Sequence, residues 1–216
     1  MMDDARERML ALFEMSRLSD EPLSWFNDLY SSANNNRELI PWDWREPHPF
    51  LRNWVGRTDH RGKALVVGCG LGEDAAYLSK SGWQVTAFDI SESAVNWAAE
   101  LHRECDVEWM VADLLDLPLE WRDAFDLVLE VHILQAIPEE IRTRAAPKIA
   151  PLLSLNGHLV CIGRLNEDES AQDEPPWALS RSFIEDVGKD LKQVEFHRST
   201  IPEKESTRYR AVWTRI

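Results

Sequence analysis

The segment from Ala64 to Ser91, ALVVGCGLGEDAAYLSKSGWQVTAFDIS, constrains the fold more than any other part of this chain. An apolar run of strand type, Ala64 to Val67, leads into a loop with glycines at Gly68, Gly70 and Gly72. A stretch with helical spacing follows, Gly82 ends it, and a second apolar run, Val85 to Phe88, stops at Asp89. Strand, glycine loop, helix and strand in that order make a βαβ unit. Glycines admit backbone where a Cβ would collide, and a helix beginning after Gly72 offers free N–H groups. Asp89 stands at the tip of the second strand, about 20 positions beyond the loop, where a carboxylate accepts hydrogen bonds from a ribose diol. The unit points to an adenosine-containing ligand.

Spacing chooses among such ligands. A dinucleotide fingerprint is G-x-G-x-x-G, its third glycine allowing close helix–strand packing. Here that position is Glu73, a carboxylate close to where a pyrophosphate would lie. An acidic lip at Glu73 and Asp74 suits a cation better. The pattern G-x-G-x-G, with strand, helix and Asp89 in register, resembles the glycine loop of class I S-adenosylmethionine methyltransferases. Their methyl donor carries a sulfonium and an ammonium and no phosphate.

Alternation of strands and helices continues downstream. Ser91 caps a helix from Glu92 to about Glu104, with Val95, Ala98 and Leu101 on its buried face. Val107 to Ala112 is a strand ending at Asp113, and Phe125 to Val131 is a central strand carrying Asp126 and Glu130. Pro147 and Pro151 interrupt the helical stretch after Pro138, which predicts a kinked or broken helix. His158 to Gly163 is the next strand, and Ser182 with Glu185 forms a capping box for a helix through about Leu191. Val194 to Thr200 and Arg208 to Thr214 pair as a terminal antiparallel hairpin. The fold class is α/β, a Rossmann-like, doubly wound and mostly parallel sheet with its ligand at the carboxyl ends of the strands. Those ends carry Gly68 to Gly72, Asp89, Asp113, Glu130 to Gln135, and Gly163 with Arg164. Asp113 is placed to meet an adenine amino group, with the N–H of Leu114 nearby.

Composition narrows the partners. At 44% hydrophobic the 216 residues can build one core, and a net charge of −14 disfavours nucleic acid, whose phosphates would be repelled. Cys69, Cys105 and Cys161 have no metal-type spacing, so no metal is expected, and they suit reduced thiols in a cytoplasmic protein. The start, MMDDARERM, is unlike a signal peptide, and no apolar stretch approaches the ~18 residues of a membrane span. Residues 3–18 have the spacing of an amphipathic helix, whose acids make an anionic bilayer a poor partner. A small-molecule acceptor and a monomer or homodimer are expected.

GCGLGED, Leu78, Gly82, Val85 and the DIS of Asp89 to Ser91 resemble the halide/thiol and thiopurine S-methyltransferases. PWDWREPHPFL (Pro41 to Leu51), AIPEEIR (Ala136 to Arg142) and PPWALS (Pro175 to Ser180) are similar to segments of that family. The resemblance covers Tyr30 to Val187 and implies a seven-stranded sheet with an antiparallel last strand. The amphipathic N-terminal piece is expected to act as a helical cap over residues 1–55, ahead of an S-adenosylmethionine-binding domain over 56–216. The donor pocket would comprise Gly68, Cys69, Gly70, Gly72, Asp89, Ile90, Asp113 and Leu114, together with Trp42 and Glu130. The acceptor would meet Tyr30, Trp42, His132, Arg164 and Trp177, with His132 and Glu130 as the catalytic candidates.

Two departures bear on the acceptor. Where halide methyltransferases carry an aromatic, hydroxyl-bearing stretch after the fourth strand, this chain has Glu130 to Gln135. Trp177 replaces the tyrosine of the lid loop. Both favour a bulkier or protonated acceptor over a small anion in a dry pocket. A sulfur acceptor comes first, because a thiol is partly thiolate near its pKa of about 8.5 and needs little base. The alternative is O- or N-methylation of a small aromatic or heterocycle, for which His132 would be an essential base. A non-catalytic cofactor-binding module and a nicotinamide oxidoreductase are further classes, the latter disfavoured by Glu73. The Pro41 to Asp43 segment and the acidic 166–177 loop are expected to close over the site, anchored by Trp42 and Trp177. Titration calorimetry should show S-adenosylmethionine binding and neither NAD nor NADP; binding of either nicotinamide nucleotide instead would overturn the spacing argument.

Overall fold

The computed structural model describes residues 2–168, 170, 172–201 and 204–216. Helices α1 (Met2–Arg17), α2 (Ser24–Ala33) and α3 (Pro49–Val55) precede β1 (Lys63–Val67), α4 (Glu73–Lys80) and β2 (Gln84–Asp89). Next come α5 (Glu92–Leu101), β3 (Val107–Val111), β4 (Phe125–Val131), α6 (Glu139–Ala145) and β5 (Leu153–Asn166). The chain closes with β6 (Leu179–Ser180), α7 (Arg181–Val187), β7 (Lys192–Ile201) and β8 (Lys204–Thr214). The sheet runs β3-β2-β1-β4-β5-β8-β7, and the short β6 adds to β5 off this path. That makes seven strands in line and an eighth of two residues. Only β8 opposes the rest, pairing antiparallel with both β5 and β7.

Strand order reverses between β1 and β4, the switch point at which open α/β sheets leave a crevice. Register brings the tips level there: Val67 lies opposite Phe88 and Glu130, and Val131 opposite Ile162. Because β8 runs the other way, its early residues, not its last, reach this same edge.

Alternation along the strands builds two apolar layers. Leu65, Val67, Val128, Leu159, Tyr209 and Trp213 face one side, with Trp121, Leu134, Ile149 and Ile184 packed on them. Val66, Ala87, Leu129, Val160 and Val212 face the other, covered by α3 and α4 through Leu51, Trp54 and Leu78. Burying each large side chain contributes about 1.5–3 kcal/mol. A third cluster joins α1 and α2 through Met9, Phe13, Trp25 and Leu29 to Leu71 and Trp97. Within residues 1–55, then, α1 and α2 cover the crevice, while α3 packs onto the sheet.

Local differences from the sequence expectations have simple causes. After Pro138 the helix stops at Ala145 and continues as 3₁₀ turns, Ala146–Lys148 and Ala150–Leu152, because Pro147 and Pro151 cannot donate. The cap of α7 is Ser180 rather than Ser182: its hydroxyl accepts the Phe183 N–H at 3.2 Å. The strand after Gly157 begins earlier, at Leu153, through pairing with Phe125.

The turn after β4 is anchored from below. Glu130 is 1% exposed, and its Oε1 accepts the N–H groups of Ile133 (2.7 Å) and Leu134 (3.0 Å). His132 takes the left-handed conformation there (φ 64°), and its N–H donates to the Ile162 carbonyl at 2.9 Å. Burial pushes the Glu130 carboxyl up to about 7, against the two N–H groups that favour its charge. Between its ordinary 4.5 and about 7 the folded protein therefore holds a proton that the unfolded chain releases, so stability falls as pH rises through that window. Glu130→Gln keeps the accepting oxygen and cannot titrate. Relative to this variant, the wild type should lose on the order of 3 kcal/mol between pH 4.5 and 8 in urea unfolding. Parallel pH profiles for the two proteins would refute the buried-proton account.

Candidate active site

A cavity of about 1340 Å³ opens at the carboxyl ends of β1 to β5 beneath α1 and α2. Its β1–β2–β3 side is lined by Gly68, Cys69, Gly70, Gly72 and by Asp89 with Ile90, then Asp113 and Leu114. Asp89 is 7% exposed; its Oδ2 accepts the Gly70 N–H at 2.9 Å and its Oδ1 the Ser91 N–H at 3.0 Å. Burial raises its pKa, and these N–H groups offset part of that rise. Each carboxylate oxygen keeps a lone pair for a diol. Asp113 accepts the Leu115 N–H at 2.8 Å, which leaves its second oxygen for an amino group. A cationic methionine end, a ribose and an adenine would fit this side in that order, at the tips of β1, β2 and β3.

The glycines also serve the protein's own packing. At Gly72 (φ 83°) a Cβ would overlap the Trp109 ring, and at Gly70 it would come within 2.9 Å of the Tyr30 hydroxyl. Tyr30 is buried, and its hydroxyl accepts the Trp42 indole N–H at 2.9 Å. Both residues line the cavity, with Tyr30 against the glycine loop on the donor side. Burial and the nearby Asp89 raise the Tyr30 phenol well above its ordinary pKa, so it stays protonated.

The acidic lip of Glu73 and Asp74 lines the cavity and also holds the protein together. Glu73 accepts from Arg37 at 2.6 Å, and Arg37 also grips Asp43 at 2.6 and 2.7 Å. Asp74 accepts the His48 N–H at 2.7 Å, and burial lifts its carboxyl to about 6. Together these contacts fasten the segment 37–48 to the start of α4, so the Trp42 segment already lies docked over the cavity.

Two expected ligand contacts are corrected. Glu130 does not line the cavity: it points under the β4 turn, with the Cys161 thiol and the Tyr209 phenol beside it. Trp177 is not in the lining either; its ring packs edge-on against Phe13 at 5.7 Å and its N–H donates to the Gln135 carbonyl at 2.7 Å. Pro175 and Pro176, just before it, take the place at the wall. Away from the cavity lining, His102, Glu104 and Cys105 gather near the end of α5, where the Lys80 ammonium already pairs with Glu104 at 3.1 Å.

On the β4–β5–β8 side the cavity meets His132, Arg164 and two residues that sequence reasoning missed, His48 and Arg208. His48 caps α3: its Nδ1 accepts the Phe50 N–H at 3.1 Å, and its ring stacks on Trp44 and lies 5.4 Å from His132. Burial, with His132 and two arginines nearby, drives the His48 pKa down to about 2. Its position between Pro47 and Pro49 marked a helix start, not a cavity wall. Arg208 is 2% exposed on β8, opposite Arg164. Two arginines alternating into an apolar strand, Arg208 and Arg210, were the available signal.

Residues 32–213 match the family model described as thiopurine S-methyltransferase. Thiocyanate methyltransferase 1 of Brassica oleracea is 30% identical over 168 residues, covering 76% of this chain and 72% of that protein. Its Arabidopsis thaliana counterpart is 27% identical over 186 residues, with 83% and 81% covered. Among solved structures, the 1,6-didemethyltoxoflavin-N1-methyltransferase of Burkholderia thailandensis shares the fold, with a TM-score of 0.70 at 17% identity, over 88% of this chain and 86% of that one. The donor that the β1–β3 side fits is S-adenosylmethionine, and the chain belongs to the thiopurine S-methyltransferase family of S-adenosylmethionine-dependent enzymes.

Proposed function

We propose that the enzyme methylates a small organic thiol as its thiolate, with His132 as the group that accepts the thiol proton. One observation carries this reading: among the described residues at the ends of β4 and β5 and the start of β8, the cavity wall offers one type of side chain able to take up a thiol proton, imidazole, and His132 is the imidazole at that wall suited to the task. Glu130 faces away from the cavity. His48 spends its Nδ1 on Phe50, so its other nitrogen carries the hydrogen and can only donate. An imidazole suffices for a thiol near neutral pH, whereas an unactivated hydroxyl would call for stronger assistance. S-adenosylmethionine supplies a methyl group on a sulfonium, ready for in-line displacement. The remaining work is positioning, which can account for about 7–11 kcal/mol of a barrier. Asp89 holds the ribose, Asp113 and the Leu114 N–H meet the adenine, and Trp42 faces the methionine end, where cation–π attraction contributes about 0.5–2 kcal/mol. Residues 1–55 act as the cap over 56–216, with α1 and α2 keeping water from the reacting centre.

The same reading places the enzyme in the cytoplasm, as a monomer or homodimer without nucleic-acid or membrane partners. In support stand the charge of −14, three free cysteines and, among the described residues, no helix long and apolar enough to cross a membrane.

Asp89→Ala should weaken donor binding by ~1.5–3 kcal/mol, roughly ten- to a hundred-fold by calorimetry. It should also lower the melting temperature, since the Gly70 and Ser91 N–H groups lose their acceptor. Unchanged donor affinity would remove Asp89 from the site. For His132→Ala, turnover of a thiol should fall modestly near neutral pH, and the deficit should close as pH rises and thiolate forms unaided. A loss of about 10²–10⁴ confined to phenols would move the assignment to O-methylation, and a rate unchanged at every pH would leave His132 with a packing role only.

A further inference from the structure

The pairing of β5 with β8 leaves two arginines at the cavity with no carboxylate partner among the described residues. Register sets Arg164 opposite Arg208, and both line the wall. Arg208 is 2% exposed, and the Nε atoms of both are buried with no hydrogen-bond partner. Among the described residues no carboxylate pairs with either guanidinium; the charges that act on them are cations, Arg6 on Arg164 and Arg164 on Arg208, and Arg6 is itself paired with Glu174 at 2.8 Å. Burial, and Arg164 after it, bring the Arg208 pKa down to about 10. An unpaired buried charge costs several kcal/mol, so folded proteins seldom keep one without a use. Arg210, two residues on and equally buried, shows the ordinary solution: it pairs with Glu195 at 2.5 Å and donates to the Phe50 carbonyl at 2.6 Å. The strand satisfies one buried arginine and leaves its neighbour open to the cavity.

Topology says how far this cationic wall lies from the reaction. The donor side belongs to β1, β2 and β3; β4, which carries His132, stands between β1 and the β5–β8 pair. Neighbouring strands are about 4.8 Å apart, so the arginines stand roughly 5–10 Å beyond the strand of His132. A triatomic anion reacting beside the donor would not span that gap, and a cavity of about 1340 Å³ has room for more than donor and small ion. We infer that the acceptor carries, besides its sulfur, a carboxylate that Arg164 and Arg208 bind across the β5–β8 pair while the sulfur faces the donor at the β4 tip. The inference rests on the thiol reading and names its substrate class: a mercaptocarboxylate, with one to two strand spacings between its two ends. Planar guanidinium forks match a carboxylate in two-point contact, and each cation that was unpaired gains its counter-ion on binding. In the transfer itself a sulfur lone pair forms the new S–CH₃ bond. The old C–S bond breaks with its electron pair left on the departing neutral sulfide, and the thiol proton has already passed to His132 or to water. The carboxylate takes no part in bond making; it orients.

The test compares para-mercaptobenzoate, its methyl ester and thiocyanate as acceptors. The free acid should exceed the ester roughly ten- to a hundred-fold in kcat/KM, chiefly through KM. That ratio should collapse toward one in Arg164→Gln and in Arg208→Gln and recover in part in Arg208→Lys. Should the buried Arg208 variants fail to fold, the half-buried Arg164→Gln decides alone. Calorimetry reads the subsite without turnover: benzoate should bind the protein loaded with the demethylated donor, and Arg164→Gln should abolish that binding. Equal rates for acid and ester, or a ratio that survives both substitutions, would overturn the carboxylate subsite and leave the thiol reading standing. Faster methylation of thiocyanate, lost in the arginine variants, would mean that these residues hold the reacting anion itself, which also overturns it. Benzoate binding lost in Arg164→Gln while no thiol is methylated would instead overturn the thiol reading and keep the subsite.

Discussion

The Asp89 carboxylate is the joint on which the site depends. One oxygen takes the N–H of Gly70 and the other that of Ser91, so a single side chain ties the β2 tip to the glycine loop and to the start of α5. Burial would ordinarily disfavour its charge, and the two N–H groups compensate in part. The loop is then pressed from the other side by Tyr30, whose hydroxyl sits where a side chain on Gly70 would be. Tyr30 in turn holds Trp42, and Arg37 holds Asp43 and Glu73. The roof of the cavity is thus hung from the donor loop, and a disturbance at Asp89 would reach the cap as well as the donor.

Strand order divides the cavity by charge. Tips of β1, β2 and β3 carry Asp89 and Asp113, while β4, β5 and β8 carry histidine and arginine. A cationic donor and an anionic acceptor would each meet the opposite charge, and the two would be drawn together across the switch point. The antiparallel course of β8 is what makes this possible. It turns the N-terminal part of the last strand toward the ligand edge, so Arg208 comes level with Arg164.

Much of the donor side was legible in the chain because its signals are local. Gly68 to Gly72, Asp89 and Asp113 fall within one βαβ run and the strand after it, where spacing and turn chemistry speak directly. The broken helix after Pro138 followed from prolines alone. The β4–β5–β8 wall of the cavity was legible only in part. His132 and Arg164 could be named from strand ends, whereas Glu130 and Trp177 were misjudged and His48 and Arg208 overlooked. Which way a side chain at a strand end turns is settled by its neighbours: Glu130 is captured by the Ile133 and Leu134 N–H groups, and Trp177 by Phe13. The protein partners of Glu73 and Asp74 were not legible because Arg37 and the His48 N–H are 36 and 26 residues away in the chain.

By itself the sequence determined the fold class, the order of the elements and the donor, since hydrophobic period, glycine placement and a strand-end carboxylate are each fixed within a few residues. Tertiary structure decided what the β4–β5–β8 wall of the cavity offers a ligand. Whether a buried arginine is satisfied depends on a partner from a distant strand: Arg210 finds Glu195 on β7, and Arg208, two residues earlier on the same face, faces Arg164 and, among the described residues, no carboxylate. The chain writes both as arginines in an apolar run. Packing alone distinguishes them, because the cost of an unpaired charge is set by what lies within a few ångströms of it and not by its place in the chain.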